Sequence, residues 1–227
     1  MKTQTILSLL QEIFVKPIVP FDLNLKEVVV FDFTKENADL QKIDLSDTDQ
    51  FSEYIFDSLK KNNSPVGLGR YAEDRTIYAR STLFDTEKEA RTIHLGIDIW
   101  AQAGTPIFAP LDGTVHSIKN NASFGDYGPT IILTHTFGDL SFHTLFGHLS
   151  TDSLSLKQGD KILAGQEIAR IGTCLENGNW PEHVHFQIII DMLGKEGDFP
   201  GVCKPSEKEM FFRNCPDPNL LLRSLRI

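Results

Sequence analysis

The clearest strand signal in the chain lies in residues 93–99, which read Ile-His-Leu-Gly-Ile-Asp-Ile. Side chains of a β-strand alternate between its two faces. One face of this segment carries only isoleucine and leucine, while the other carries His94 and Asp98 with a single glycine between them. The pattern predicts a strand with one face in the core and a histidine and a carboxylate side by side on the other.

A second strand signal, residues 183–186 (His-Val-His-Phe), follows the same alternation. His183 and His185 point the same way, about 7 Å apart at the backbone. Catalytic zinc takes three protein ligands from histidine and carboxylate and keeps a fourth position open. His94, Asp98 and one of the two histidines supply that set. The sequence therefore predicts a zinc site with the other imidazole beside its open position.

The remaining histidines divide by position along a third predicted strand, residues 142–149, which ends near His148. His143 and His148 have opposite parity, so an unbulged strand cannot direct both toward one site. We interpret His143, like His116 and His135, as a solvated or structural histidine.

Residues 1–66 have a mixed α/β pattern. Apolar residues at positions 6, 9, 10, 13 and 14 follow helical spacing and predict a short amphipathic helix that docks on the rest of the chain. The apolar run there is too short and too interrupted for a secretory signal peptide. Residues 28–31 predict a buried strand, and Ser46 or Asp47 is expected to cap a second helix.

From about residue 67, short β-type runs are separated by turn signals such as Asp112-Gly113 and Gly159-Asp160. This spacing predicts an all-β sandwich or barrel without crossover helices. We divide the chain into an N-terminal region (1–66), a β-rich domain (67–205) and a C-terminal extension (206–227).

Composition limits the partners and the compartment. The formal net charge of −9 opposes nucleic-acid binding, which needs a basic surface. No segment approaches the roughly 20 apolar residues of a membrane span. Three cysteines (Cys174, Cys203 and Cys215) do not form a disulfide framework and suit a reducing compartment. We therefore predict a cytoplasmic protein with no nucleic-acid or membrane partner.

Three histidine-containing motifs follow one another along the chain: His94-x-x-x-Asp98, Phe146-Gly147-His148-Leu149 and His183-Val184-His185-Phe186. Together with the turn-rich segments between them, over roughly residues 90 to 190, they resemble the lysostaphin-type zinc metallopeptidases. The resemblance implies a mainly β fold related to barrel-sandwich hybrids (the duplicated hybrid motif), here with a small α/β attachment at the N-terminus.

The same resemblance implies particular roles. His94, Asp98 and His185 would bind Zn²⁺, and His148 and His183 would be catalytic histidines that do not bind the metal. The implied reaction is the zinc-dependent hydrolysis of a peptide or amide bond in a peptide or a peptidoglycan-like substrate. The chain has no His-Glu-x-x-His segment, so proton transfer would fall on imidazoles, whose pKa of about 6.5 suits it.

Two departures from the family pattern bear on the substrate. Phe146 stands where the family usually has tyrosine, and residues 176–182 replace a loop of small residues. A narrower resemblance, carried by segments such as Gly69-Arg70-Tyr71 and Pro216-Asp217-Pro218-Asn219, is to a peptidase-like module fused to some class-III aminotransferases. It implies a functional link to an aminotransferase. We further expect Trp180 and residues 124–127 to flank the substrate groove.

Two other functions are compatible with these patterns. A histidine phosphocarrier can use paired histidines on a related fold, although Asp98 beside His94 argues against it. A non-catalytic module of the same fold could bind metal or peptide without turnover.

Overall fold

The structure, a computed structural model, describes residues 2–85 and 89–227. Its helices are α1 (Lys2–Glu12), α2 (Thr48–Lys61), α3 (Lys208–Asn214) and α4 (Asn219–Leu222). Its strands are β1 (Val29–Phe31), β2 (Gly67–Gly69), β3 (Ile93–His94), β4 (Ile97–Trp100), β5 (Pro106–Phe108), β6 (Gly113–Asn121), β7 (Gly128–Phe137), β8 (Leu140–Gly147), β9 (Lys161–Ile162), β10 (Glu167–Arg170), β11 (His183–Ile189) and β12 (Val202–Cys203). None of the helices in these ranges has the length and apolar character needed to cross a bilayer.

Eight strands form one large mixed sheet, in the order β1-β2-β4-β11-β8-β7-β6-β9. Every neighbouring pair is antiparallel except β1 and β2, which are parallel. Two small sheets, β5 with β10 and β3 with β12, accompany it. The predicted mainly β fold is confirmed. Within the described residues, the large sheet remains open and does not close into a barrel.

The main core lies on one face of this sheet and includes Val184 and Phe186 of β11. Helix α1 packs there through the fully buried Ile6 and Leu10, which confirms that the N-terminal helix docks on the β-rich part. The predicted apolar stripe extends past the helix. Helix α1 ends at Glu12, so Ile13 and Phe14 lie beyond it; Ile13 still packs against the core, whereas Phe14 is 76% exposed.

The N-terminal region supplies a second apolar cluster. The side chain of Asp47 caps α2 by accepting hydrogen bonds from the backbone N–H groups of Asp49 and Gln50. This is one of the two predicted caps, and the resulting helix buries Phe51 against Trp100 of β4. Strand β1 joins the large sheet through β2, so the sheet continues across residue 66. The three-part division of the chain stays a prediction.

Candidate functional site

Asp98 and His185 lie directly opposite each other on the neighbouring strands β4 and β11. The next residue across the sheet beside Asp98 is Gly69, and the one beside His185 is Gly147. Both neighbours lack a side chain, which leaves room above the sheet for the carboxylate and the imidazole. The sheet therefore creates a small recess around this pair.

His94 enters the recess from outside the large sheet. The predicted strand 93–99 is two short strands, β3 and β4, separated by Leu95 and Gly96, because β3 pairs with β12 instead. The predicted same-face arrangement nevertheless holds. A Cβ atom at Gly96 would lie only 2.4 Å from Cε1 of His185. Glycine at this position thus allows His185 to reach His94 and Asp98.

Three ligating atoms converge in the recess. His94 Nε2 lies 3.0 Å from His185 Nδ1, and Asp98 Oδ1 lies 3.3 Å and 3.2 Å from those two nitrogens. All three residues are at least 97% buried. Donor atoms bound tetrahedrally to one zinc ion at 2.0–2.2 Å lie about 3.4 Å apart. The triangle of atoms therefore has the size that one small divalent cation requires.

The hydrogen bonds at the far sides of the two rings determine which nitrogen of each neutral ring carries the proton. His94 donates its Nδ1–H to the carbonyl oxygen of Arg70 at 2.9 Å. Gln187 donates its amide N–H to the carbonyl oxygen of Pro200, so its amide oxygen faces His185 and accepts the Nε2–H at 2.9 Å. Burial lowers the pKa of His94 to about 3, so this ring is neutral near pH 7. Two unprotonated nitrogens and a carboxylate oxygen thus face one point, which fits a metal cation.

The second oxygen of Asp98 is held by a buried arginine. Arg75 Nη1 donates to Asp98 Oδ2 at 2.5 Å, and Arg75 Nε donates to Glu73 Oε2 at 2.9 Å. Burial alone would raise the pKa of the Asp98 carboxyl, but the charge and the hydrogen bond of the Arg75 guanidinium help to hold it well below its usual range. Asp98 is therefore ionised and offers Oδ1 to the recess.

Two more imidazoles lie beside the triangle. His183 Nε2 is 3.8 Å from Asp98 Oδ1, and its ring centroid is 4.2 Å from that of His148. His183 donates Nδ1–H to the carbonyl oxygen of Pro181, and His148 donates Nδ1–H to that of Asn177. Burial lowers the pKa of His183 to about 4 and places the pKa of His148 well below its usual value. Each ring is therefore neutral and presents an unprotonated Nε2.

His148 reaches the site through an unusual backbone conformation. Strand β8 ends at Gly147, and His148 has φ +61°. Continued alternation would have placed its side chain with Phe146, which lies in the main core. Its N–H instead donates to the carbonyl oxygen of Tyr127 at 2.7 Å, and the left-handed turn directs the imidazole toward His183.

The triangle opens into a cavity of about 280 Å³. Much of the cavity lining is aromatic, and charged side chains complete it. The lining includes Tyr78, Phe84, Tyr127, Trp180, Phe199, Arg91, Asp126, Lys195 and Asp198. Trp180 and residues 125–127 therefore lie where the sequence predicts the edge of a groove. Phe124 instead packs on the guanidinium of Arg80.

The five histidine and aspartate residues predicted for the site come together. The other three histidines lie elsewhere. His143 bonds to Thr134, the ring of His116 contacts that of His143, and the buried His135 bonds to Thr144.

Sequence analysis missed Arg75, Tyr78 and Gln187. Gln187 could have been found, because it follows His183 and His185 on the same face of β11. Arg75 and Tyr78 precede His94 by more than a dozen residues, and no local pattern linked them to it.

Comparisons with known proteins show which family this part of the chain is similar to. Residues 92–196 match the sequence profile of peptidase family M23. This range includes all five predicted site residues but begins after Arg75 and Tyr78. An uncharacterized metalloprotease of Haemophilus influenzae is 32% identical over 99 residues, which are 43% of this chain and 19% of that protein. The chain thus matches only a small part of the length of this curated relative.

Solved structures of peptidases also match. A zinc-containing peptidase from Vibrio cholerae is 24% identical with a TM-score of 0.36, over 46% of this chain and 29% of that one. The catalytic domain of lysostaphin from Staphylococcus simulans is 23% identical with a TM-score of 0.36, over 52% of this chain and 79% of that one. Residues 92–196, which carry all five predicted site residues, match the model of peptidase family M23, and the predicted resemblance to lysostaphin-type peptidases is confirmed for this part of the chain.

Proposed function

We propose that the protein is a zinc-dependent peptidase or amidase whose metal ligands are His94, Asp98 and His185. The observation that carries this proposal is the convergence of two unprotonated imidazole nitrogens and one carboxylate oxygen at 3.0–3.3 Å. In water, three such acceptors would each bind a proton donor. Buried together, they are stabilised best by a shared cation.

When bound, zinc supplies a Lewis acid that makes water nucleophilic near neutral pH and polarises the scissile carbonyl. The chain's own imidazoles move the proton. His183 takes the proton at Nε2, because Asp98 Oδ1 at 3.8 Å and the Pro181 carbonyl at its Nδ1–H both favour the imidazolium. His148 lacks a carboxylate at that distance among the described residues and serves to orient the attacking water.

The protonated His183 then returns its proton to the leaving amine as the C–N bond breaks. His148 lies beside it, with ring centroids 4.2 Å apart. A neutral His148 can accept a hydrogen bond at Nε2 from the water before attack. Its Nδ1–H remains bonded to Asn177 throughout, which keeps the ring oriented.

The cavity suggests the size of the substrate. Its volume of about 280 Å³ is close to the lower end of the range for small-ligand pockets, roughly 300–1,000 Å³. Such a space holds only a few residues of a peptide, and its aromatic walls favour apolar side chains. A peptide or the peptide portion of a peptidoglycan-like polymer fits this description. The cytoplasmic location and the link to an aminotransferase stay predictions.

The proposal is tested by zinc content and by turnover together. Purified protein, stripped of metal and reloaded with zinc, is incubated with a peptide pool that includes glycine-rich and D-Ala-containing sequences, and products are identified by mass spectrometry. Zinc-dependent cleavage that is lost in His183→Ala and kept in His143→Ala supports the proposal. Full zinc occupancy without cleavage of any peptide would favour a non-catalytic module.

That second candidate has one observation in its favour. Arg75 already neutralises Asp98, so the site can remain folded without a metal and could bind a peptide in its cavity. A phosphocarrier role is disfavoured, because a phosphate on His94, His183 or His185 would lie against the ionised carboxylate of Asp98.

A further inference from the structure

Among the residues that the structure describes, Arg75 is the most deeply buried charged side chain that the proposed reaction does not use. It is 1% exposed, and its guanidinium lies over the ring of Phe33. Besides Asp98 and Glu73, it bonds to the hydroxyl of Tyr78 and to the carbonyl oxygen of Arg70. Arginine keeps its charge in proteins. A permanent positive charge therefore lies against the carboxylate proposed to bind the metal.

The same carbonyl of Arg70 accepts from both His94 and Arg75. One backbone carbonyl thus orients both His94, a proposed metal ligand, and Arg75, the cation that contacts the ligand Asp98. Both arginines precede residues 92–196, the part of the chain that matches the family. The segment from Arg70 to Tyr78 therefore completes the site from outside the matched range.

We infer that Arg75 is a resident counter-ion, which stabilises the metal-free site and weakens its affinity for zinc. Without metal, Arg75 supplies the positive charge that the buried Asp98 carboxylate needs. With metal, the guanidinium and the divalent cation repel each other across one carboxylate. Glu73, bonded to Arg75 on its other side, reduces that repulsion. The site is therefore built for reversible metal loading.

This role predicts opposite effects for two neighbouring substitutions. Arg75→Met removes the positive charge that repels the metal and keeps a long side chain, so zinc should bind about tenfold more tightly, the size of a screened repulsion between neighbouring charges. Glu73→Gln removes the negative charge that offsets Arg75, so zinc should bind about tenfold more weakly. A merely structural role would make both substitutions weaken binding. The half-exposed pair Arg170 and Glu167, 2.7 Å apart, gives matched controls, Arg170→Met and Glu167→Gln, which should leave zinc affinity unchanged.

Zinc dissociation constants are measured by competition with a chromogenic chelator, and thermal unfolding is followed with and without zinc. Arg75→Met should lower the unfolding temperature of the metal-free protein more than that of the zinc-loaded protein, and Arg75→Lys should restore part of the difference. If Arg75→Met does not fold without metal, it is purified with zinc, and its release to excess chelator should be slower than in the wild type.

The inference rests on the proposed zinc site, and the two fail in different ways. Wild-type protein that takes up no zinc would overturn the proposed function and this inference with it. Wild-type protein that binds zinc, with Arg75→Met and Glu73→Gln shifting affinity in the same direction, would overturn the role of Arg75 alone. Faster zinc release from Arg75→Met than from the wild type would also overturn the role of Arg75 alone.

Discussion

The Nε2 atom of His94 and the Nδ1 atom of His185 face each other at 3.0 Å, and each ring donates its other N–H to an oxygen atom. Neither facing nitrogen therefore carries a proton when the rings are neutral. Two lone pairs at this distance repel each other, and the carboxylate of Asp98 beside them adds negative charge. The arrangement is favourable when a cation lies between the three groups.

The wild-type protein should bind about one zinc ion per chain. Replacing Asp98 and His185 together with alanine removes two of the three ligands and should abolish measurable zinc uptake. A single His94→Ala substitution should weaken affinity at least about 100-fold, since even partners outside the ligand set affect it 10–100-fold. Elemental analysis and chelator competition measure both. Full occupancy in the double variant would contradict the ligand assignment.

Substitution of His148 or His183 by alanine should separate catalysis from metal binding. Because proton transfer by a positioned side chain contributes about 10²–10⁴-fold, turnover should fall by that factor. Zinc content should remain that of the wild type, since the proposed metal ligands are His94, Asp98 and His185. Steady-state kinetics on an identified peptide and elemental analysis of the same preparation test this. Loss of zinc from His148→Ala would require a different ligand set.

Gln187 should select the tautomer of the His185 ring. Its amide oxygen accepts the Nε2–H of His185 at 2.9 Å, which leaves Nδ1 free for the metal. Gln187→Met keeps the side-chain length but removes the acceptor, so zinc affinity should fall about 10–100-fold. The competition assay used for the ligand variants measures the change. Unchanged zinc affinity would mean that other groups keep the proton on Nε2 of His185 without Gln187.

Trp180 should contribute to both stability and substrate binding. Its ring contacts Phe51, Tyr78 and Phe84, and it lines the cavity. Trp180→Ala should cost about 3–5 kcal/mol of unfolding free energy, the usual range for a buried aromatic residue, and should raise KM. Phe14→Ala is the matched control and should cost almost nothing, because Phe14 is exposed. Denaturant unfolding and kinetics report the two effects; an unchanged KM would confine Trp180 to packing.

Acid should destabilise the metal-free protein through its buried imidazoles. Burial lowers the pKa of His135 to about 4 from an ordinary value of 6.5. The unfolded chain therefore binds the proton more readily, and this contribution to stability, full above pH 6.5, is lost as the pH falls toward 4. The loss amounts to about 3 kcal/mol.

His135 tests this effect without disturbing the site, since its neighbour across the strand pair, Phe142, belongs to the main core. In His135→Gln, the unfolding free energy measured in a metal chelator should depend less steeply on pH between 6.5 and 4. His116→Gln, at a more exposed position, should keep the wild-type dependence. An unchanged slope in His135→Gln would mean that this imidazole does not resist protonation.

The sequence alone predicts much of the site because strand alternation is a local property. A period of two places His183 with His185 on one face of β11. The same period predicts that His94 and Asp98 lie together, although in the structure they meet across the break between β3 and β4. Helix capping by Asp47 is likewise determined within three residues. These predictions need no knowledge of the distant parts of the chain.

Only the tertiary structure decides what approaches those residues from afar. The side chain of His148 does not follow the strand alternation, because its left-handed backbone conformation, with φ +61°, turns the chain at the end of β8. Arg75 pairs with Asp98 across 23 positions, and this pairing depends on how the preceding segment packs. Burial supplies the physical reason. Charge pairing and proton positions in the recess depend on which long-range neighbours exclude water, and those neighbours are brought together only when the whole chain has folded.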